Sequence, residues 1–312
     1  MYDLIGDIHG HADALSALLR ELGYQDSGGT FRHPGRQAVF VGDFVDRGPK
    51  IRETLHIVRA MVESGSAVAV MGNHEFNAIA YHTSDPQSPK DFLRPHSEKN
   101  NRQHHATLTQ LRDSELAEYL EWFKKLPVTL ELDGVRVVHA CWDREGIDCI
   151  ESSLDKYGRF TPEFMREATD QHSRLFRAIE DVLKGPEIAL PEGIAVCDKE
   201  GTPRRKMRVR WYESPVGKNY SEYALSAEAG FPNHPLPESA RLAARIYSPD
   251  APPVFVGHYW LRGTPKPLAA NVACLDYSVA KGGRLCAYRW RGESTLDASH
   301  FVLAAVSNAQ RV

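Results

Sequence analysis

The stretch that decides the fold is residues 38–48, which read AVFVGDFVDRG. Its first four residues are apolar, too few for a helix and rich in valine, so they predict a short buried strand. Three polar residues, Asp43, Asp46 and Arg47, follow almost at once. Because open α/β sheets place their ligands just past the carboxyl ends of strands, this junction is a candidate functional site.

The same arrangement occurs elsewhere along the chain. Apolar runs at residues 4–5, 67–71, 135–138 and 254–256 predict four more buried strands. They lead into residues 6–10 (GDIHG), 72–75 (GNHE), 139–140 (HA) and 257–259 (GHY). Leucines at helical spacing in residues 15–22, and apolar residues in 51–62, predict helices between the first three strands. This alternation predicts a layered α/β fold.

Three stretches look like additions to that scaffold. Polar residues 83–105 predict a mobile loop, followed by an amphipathic helix that carries Leu116, Leu120 and Phe123. Residues 150–184 contain a helix start at Thr161, and residues 185–253 have no clear assignment. Without a repeat or a linker, we expect one domain, residues 1–312, with insertions at about 83–125 and 150–253 that cap the site.

Composition excludes several classes of function. The chain has 38 basic and 41 acidic residues, a net charge of −3, so we expect neither nucleic acid nor a membrane as partner. Its five scattered cysteines form no CxxC pair, which disfavours a disulfide framework and a thiolate zinc site. The sequence has no apolar run long enough to span a membrane and no leader pattern, so we expect a cytoplasmic protein.

The polar residues after the predicted strands suit a pair of metal ions. Borderline divalent metals accept mixed nitrogen and oxygen ligands, and a carboxylate can bridge two ions. If Asp43 bridges, Asp7 and His9 complete one ligand set. The other set is then completed by Asn73, His139 and His258. Two divalent ions outweigh the two aspartates in charge, so the site favours a phosphoryl dianion.

Three more residues fit phosphoryl transfer. A metal pair lowers the pKa of a bound water, so the expected nucleophile is a metal-bound hydroxide that attacks in line. Arg47 offers a guanidinium for two phosphate oxygens. His74 would protonate the departing oxygen, with Asp46 orienting and charging its imidazole.

Each motif taken alone also has a purely structural interpretation. An Asp-x-His turn, an aspartate helix cap, a turn asparagine and two buried core histidines are all common. All of them would have to coincide at five strand ends, so we favour the metal site. Histidines 82, 96, 104 and 105 form a cluster that is either solvated or metal-binding, and Tyr259 and Trp260 either pack or stack on a nucleobase.

Residues 6–10, 42–48 and 72–75 resemble the three signature blocks of the calcineurin-like metallophosphoesterases, in the branch of phosphoprotein phosphatases and bacterial diadenosine tetraphosphate hydrolases. The resemblance recurs at residues 137–140, 257–258 and 275–287. It implies a central β-sandwich flanked by helices and a dinuclear centre, with manganese expected and iron or zinc as alternatives. It also implies the ligand sets, acid pair and Arg47 role given above, and a second phosphate-binding arginine, for which Arg210 is the candidate; the alternative for Arg210 is a solvated basic face.

Two departures bear on the substrate. Residues 257–260 lack the second histidine of a Gly-His-x-His motif, which favours this branch over related phosphodiesterases and nucleases. Ala140 follows His139 where protein phosphatases commonly have glycine, which indicates the bacterial hydrolases. The expected function is phosphomonoester hydrolysis of the Ser/Thr phosphatase type, on a phosphorylated protein or a small phosphate-containing metabolite. The alternatives are symmetrical dinucleoside tetraphosphate hydrolysis and a non-catalytic phosphate-binding module.

Overall fold

The computed structural model describes residues 1–197, 203–225, 230–242 and 244–305. The strands are β1 (Tyr2–Ile5), β2 (Gln25–Asp26), β3 (Phe31–Arg32), β4 (Gln37–Phe40), β5 (Ala67–Ala69), β6 (Ser84–Asp85), β7 (Ser88–Phe92), β8 (Thr129–Leu132), β9 (Val135–Val138), β10 (Glu187–Ala189), β11 (Val196–Cys197), β12 (Pro203–Arg204), β13 (Lys206–Arg208), β14 (Val254–Val256), β15 (Val272–Cys274), β16 (Cys286–Trp290) and β17 (Phe301–Leu303). The α-helices are α1 (Ala12–Glu21), α2 (Ile51–Glu63), α3 (Asn73–His82), α4 (Glu98–Gln110), α5 (Asp113–Phe123), α6 (Arg144–Tyr157), α7 (Pro162–Thr169), α8 (Arg174–Lys184), α9 (Tyr220–Tyr223) and α10 (Glu238–Leu242). Short 3-10 helices span Val279–Lys281 and Ala298–His300.

Two mixed sheets form the centre. The first has the order β17-β16-β1-β4-β5, with β1, β4 and β5 parallel and β16 antiparallel to its two neighbours. The second has the order β15-β14-β9-β8, with β15, β14 and β9 parallel. One apolar cluster joins both sheets through Leu4, Val39, Val137 and Phe255, all fully buried. The expected β-sandwich is therefore confirmed.

Helices cover the outer faces of this sandwich. Neighbours along a strand point to opposite faces, so Ile5 and Phe40 point away from the side that Leu4 and Val39 share. Ile5 and Phe40 belong to a second apolar core together with Leu15 of α1. The result is the layered α/β arrangement that the alternation of strands and helices predicts. Helices α1 and α2 lie where the leucine and isoleucine spacing places them.

Residues 83–105 differ from the predicted loop. They form a β6–β7 hairpin and most of α4, which begins after Ser97, whose hydroxyl accepts a hydrogen bond from the Asn100 N–H at 3.3 Å. The buried residues of α4 are His104 and Thr107, both polar. An amphipathic apolar stripe is the sequence signal for a helix, so a helix whose inward face is polar gives no such signal.

The region after α8 contains two small antiparallel pairs, β10–β13 and β11–β12. Its own apolar cluster includes Leu190, Met207, Tyr223 and Leu236. The helix start at Thr161 is confirmed, because its hydroxyl accepts from the Phe164 N–H at the start of α7. Within the described part of the chain, no helix is both long and apolar enough to cross a membrane.

Candidate metal centre and acid pair

The six predicted ligands follow the carboxyl ends of five strands of the sandwich. Asp7 and His9 follow β1, Asp43 follows β4, Asn73 follows β5, His139 follows β9 and His258 follows β14. Gly257 lets the end of β14 approach the end of β1, because a Cβ there would overlap Asp7 Oδ1. The two sheets of the sandwich therefore both contribute to one site.

The loop after β4 is strained and tightly held. Asp43, Asp46 and Arg47 have φ angles of 55°, 67° and 69°, in the left-handed region that costs non-glycine residues of order 1–3 kcal/mol each. The Glu75 carboxylate accepts from the N–H groups of Asp43, Phe44, Val45 and Gly72 at 2.8, 2.8, 3.3 and 3.0 Å. Burial and Asp43 raise the pKa of Glu75 to about 7, while these donors favour its ionised form. Glu75 thus fixes the loop that presents Asp43.

Asp43 lies at the centre of the predicted ligands. Its Oδ2 is 3.6 Å from His9 Nε2 and 3.3 Å from His139 Nε2. Asn73 Oδ1 is 2.7 Å from His258 Nδ1 and 3.2 Å from His139 Nε2. Two groups of ligand atoms lie within 4.8 Å of one another: His9, Asp43 and His74, and Asp43, His139 and His258. Both groups contain Asp43, as a bridging ligand would, and the first contains His74 where the predicted set has Asp7.

Three buried atoms of this site lack partners. Asp7 Oδ1, His9 Nε2 and His258 Nε2 find no hydrogen bond among the residues that the structure describes. His9 Nδ1 donates to the Val45 carbonyl at 3.0 Å, which leaves Nε2 as a bare lone pair. An unpaired buried polar atom costs about 1–3 kcal/mol, and a coordinated cation would satisfy each of these atoms. The donor set therefore fits divalent metal ions.

The charges of these groups agree with that fit. Burial, reinforced by His74, lowers the pKa of His9 to about 3, and burial likewise lowers the pKa of His258. Burial opposes a charge on His139, but the carboxylates of Asp43 and Asp7 outweigh it and raise its pKa to about 10. Burial and Asp276 raise the pKa of Asp7, whereas the histidines around Asp43 hold its pKa well below the ordinary range despite burial. A cation would displace the His139 proton and relieve the crowded carboxylates.

His74 and Asp46 form a close pair beside this centre. His74 Nδ1 lies 2.6 Å from Asp46 Oδ2, and its Nε2 lies 3.9 Å from Asp43 Oδ2. The imidazole is therefore held from behind by one carboxylate while its other nitrogen faces the candidate metal centre. Burial would raise the pKa of Asp46, but hydrogen bonds from His104 and His74 hold it below the ordinary range.

Arg47 lies at the surface above the site. Its guanidinium carbon is 4.2 Å from the centroid of the Trp260 ring, and Lys281 Nζ lies 4.3 Å from the same ring. Arg47 is also close enough to His9 for its charge to lower the pKa of that imidazole. Tyr259 packs instead: it is buried and donates to the Ala140 carbonyl at 2.9 Å.

Arg210, the predicted second phosphate-binding arginine, and its neighbour Arg208 have different partners. Arg210 Nε donates to the Ala224 carbonyl at 3.0 Å, and its Nη1 lies 3.3 Å from Glu213. Arg208, at the end of β13, has its Nε 3.9 Å from Glu187 Oε1. Its Nε is buried without a hydrogen bond in the described ranges. The prediction for Arg210 stays a prediction.

Comparison with known proteins agrees with this geometry. The family described as calcineurin-like phosphoesterase matches residues 2–222, which is more than half of the chain. The chain belongs to this family. Members of this metallophosphoesterase family use a dinuclear divalent metal centre.

Relatives of this phosphoesterase include two kinds of bis(5'-nucleosyl)-tetraphosphatase. It is 30% identical over 139 residues to the asymmetrical enzyme of Oceanobacillus iheyensis, an alignment that covers 44% of this chain and 54% of the relative. The chain thus spans about half the length of that relative. It is 25% identical over 324 residues to the symmetrical enzyme of Yersinia enterocolitica, covering 99% and 95% of the two chains.

Among solved structures, a cold-active protein-tyrosine phosphatase of a psychrophilic Shewanella species matches with a TM-score of 0.50 and 18% identity. The match covers 92% of this chain and 75% of that phosphatase. At this identity the likeness concerns the fold alone.

Proposed function

We propose that this phosphoesterase binds two divalent metal ions, manganese being the expected metal, and hydrolyses a phosphate ester. Asp7, His9 and Asp43 would hold one ion. The other would be held by Asp43, Asn73, His139 and His258. Such ions, when bound, neutralise the phosphate and activate a water molecule. The unpaired atoms of Asp7, His9 and His258 support this assignment.

The side chains around the ions then have separate tasks. Arg47 binds the non-bridging oxygens of the phosphate, and Arg210 is the candidate for a second such contact. His74 gives the proton on its Nε2 to the departing oxygen. Asp46 stabilises the charged imidazole of His74 and keeps a proton on His74 Nδ1. The 2.6 Å contact between His74 Nδ1 and Asp46 is the observation that carries this proposal.

That contact favours a phosphomonoester with an alcohol leaving group. An alkoxide leaves poorly without a proton, whereas a nucleoside phosphate leaves well without one. A buried acid pair therefore suits a phosphorylated protein or a small phosphate monoester. Hydrolysis of a dinucleoside tetraphosphate is the second candidate. It is supported by the relatives that are named as tetraphosphatases, and by the charged groups of Arg47 and Lys281, which both lie over the Trp260 ring.

The test is a turnover panel with the manganese-loaded protein. The substrates are phosphoserine and phosphotyrosine peptides, diadenosine tetraphosphate and a phosphodiester, each measured as kcat/KM. We expect the phosphoserine peptide to be preferred by more than tenfold. A preference of more than tenfold for diadenosine tetraphosphate would instead establish the second candidate. Full metal loading without any turnover would indicate a non-catalytic phosphate-binding module.

A further inference from the structure

The Asp46 carboxylate receives hydrogen bonds from more than His74. Its Oδ2 is bonded by His74 Nδ1, while its Oδ1 is bonded by His104 Nδ1 at 2.7 Å and by the Thr107 hydroxyl at 2.6 Å. The same hydroxyl accepts from the Asp46 N–H at 3.0 Å. Thr107 therefore holds both the backbone and the side chain of Asp46.

The direction of each of these bonds follows from the chemistry of the groups. A carboxylate only accepts, so the proton of the His104 contact lies on His104 Nδ1. In the neutral ring, His104 Nε2 is then an acceptor, and the 3.2 Å contact with His82 Nε2 makes His82 the donor. The donors run from His82 through His104 to Asp46, and His74 donates to Asp46 from the other side. The donors from both sides therefore end at one carboxylate, that of Asp46.

Helix α4 also binds the backbone of the same loop. Gln110 Oε1 accepts from the Ile51 N–H at 2.7 Å, and Gln110 Nε2 donates to the Gly48 carbonyl at 2.9 Å. This explains why the inward face of α4 is polar: it packs against a loop rather than against an apolar core. Helix α4 therefore contacts both the Asp46 carboxylate and the backbone of the chain that follows it.

We propose that His104 and Thr107 are positioning residues that fix the plane of the Asp46 carboxylate and thereby aim His74 Nε2 at the leaving oxygen. This inference rests on the proposed role of His74 as the acid. Neither residue touches the substrate, so their loss affects the chemical step and leaves substrate binding unchanged. The effect is largest for substrates whose leaving group needs a proton.

The test uses paired variants of the manganese-loaded enzyme. Thr107→Val removes the hydroxyl at nearly constant shape, and Thr107→Ser keeps it. His104→Phe removes the ring donor, and His104→Asn keeps a donor near the Nδ1 position. The control is His105→Asn, on the exposed side of the same helix. Circular dichroism and thermal unfolding check that each variant is folded.

We expect Thr107→Val and His104→Phe to lower kcat on a phosphoserine peptide by about 10–100-fold, the usual range for partners that orient a site residue, with KM within twofold. On an aryl phosphate the loss is expected to stay below about threefold, by the leaving-group argument. Thr107→Ser, His104→Asn and the His105 control retain most of the activity. Equal losses on both substrates, or no loss in folded variants, would overturn the proposal.

A second measurement does not need activity. In ¹⁵N-histidine NMR spectra of the metal-free protein, the Nδ1 proton of His74 is expected far downfield in the wild type and displaced in Thr107→Val and His104→Phe. An unchanged His74 signal in both variants contradicts the positioning role. If the wild type turns over no phosphate ester, the proposed function fails, but this measurement still decides whether His104 and Thr107 orient the pair.

Discussion

Asp43 and Asp46 lie in one loop and look alike, but their surroundings differ. Both are almost fully buried and both have left-handed backbone. The oxygens of Asp46 have hydrogen-bond donors from His74, His104 and Thr107, so its surroundings are complete without any ligand. Asp43 Oδ1 accepts from the His74 N–H at 2.9 Å, but its Oδ2 faces imidazole nitrogens, and nearby atoms of the site have no partner in the described chain. A buried carboxylate among unpaired acceptor atoms suits a cation, whereas a carboxylate whose oxygens all accept hydrogen bonds suits an orienting role.

The strongest test of this contrast is Asp43→Asn. The substitution removes the negative charge that both ligand groups share, so we expect both ions to bind weakly and kcat to fall by at least about 10³-fold, the scale of several kcal/mol of transition-state stabilisation. Metal content by mass spectrometry and turnover measure the two effects. Asp13→Asn, at an exposed ion pair with Lys50, is the control. Two tightly bound metals in Asp43→Asn would contradict the bridging role.

On the Asp46 side, His74→Asn removes the acid but leaves the ligands in place. We expect kcat to drop about 10²–10³-fold on phosphoserine peptides and less than about tenfold on anhydrides and aryl phosphates. Metal content should stay at the wild-type value. Equal losses on all three substrate types would exclude His74 as the proton donor.

Glu75→Gln tests whether the shared loop depends on one carboxylate. At pH 8 the amide cannot accept all four of the N–H bonds that Glu75 accepts, and its own NH₂ opposes two of the donors. We expect the variant to lose about 3 kcal/mol of stability, a fall in Tm of roughly 6–12 °C. Thermal unfolding of the metal-free protein gives the value, and a change below 2 °C would remove Glu75 as the main support of the loop.

The smallest expected effect is on the pH dependence of stability, through His82, which contacts His104 behind Asp46. Burial, with His104 and His96, lowers the pKa of His82 from 6.5 to about 4. Between pH 4 and pH 6.5 the unfolded chain binds a proton at His82 and the folded chain does not. The contribution of a neutral His82 to the free energy of unfolding is therefore complete above pH 6.5 and is lost as pH falls toward 4. His82 is partly exposed, so we expect His82→Asn to reduce the loss of Tm between pH 7 and pH 5 by only about 2 °C. A parallel pH dependence in both proteins would contradict this.

The surroundings of Asp43 and those of Asp46 also differ in how much of them the sequence predicts. The six predicted ligands, His74 and Asp46 stand in short motifs directly after apolar runs, and parallel strands bring such strand ends to one edge. Their assembly around Asp43 therefore follows from local patterns. His104 lies in the segment predicted to be a loop and Thr107 just after it, on a helix without an apolar stripe, so no periodic signal singled them out.

The amino-acid sequence by itself determined the layered sandwich, the residues at its strand ends and the phosphoesterase chemistry they suit, because each depends on contiguous residues and on strand geometry. Only the tertiary structure decided that α4 binds Asp46 of the predicted acid pair from behind. Polar contacts between distant segments depend on how an insertion packs, and short-range hydrophobic patterning carries no information about that packing.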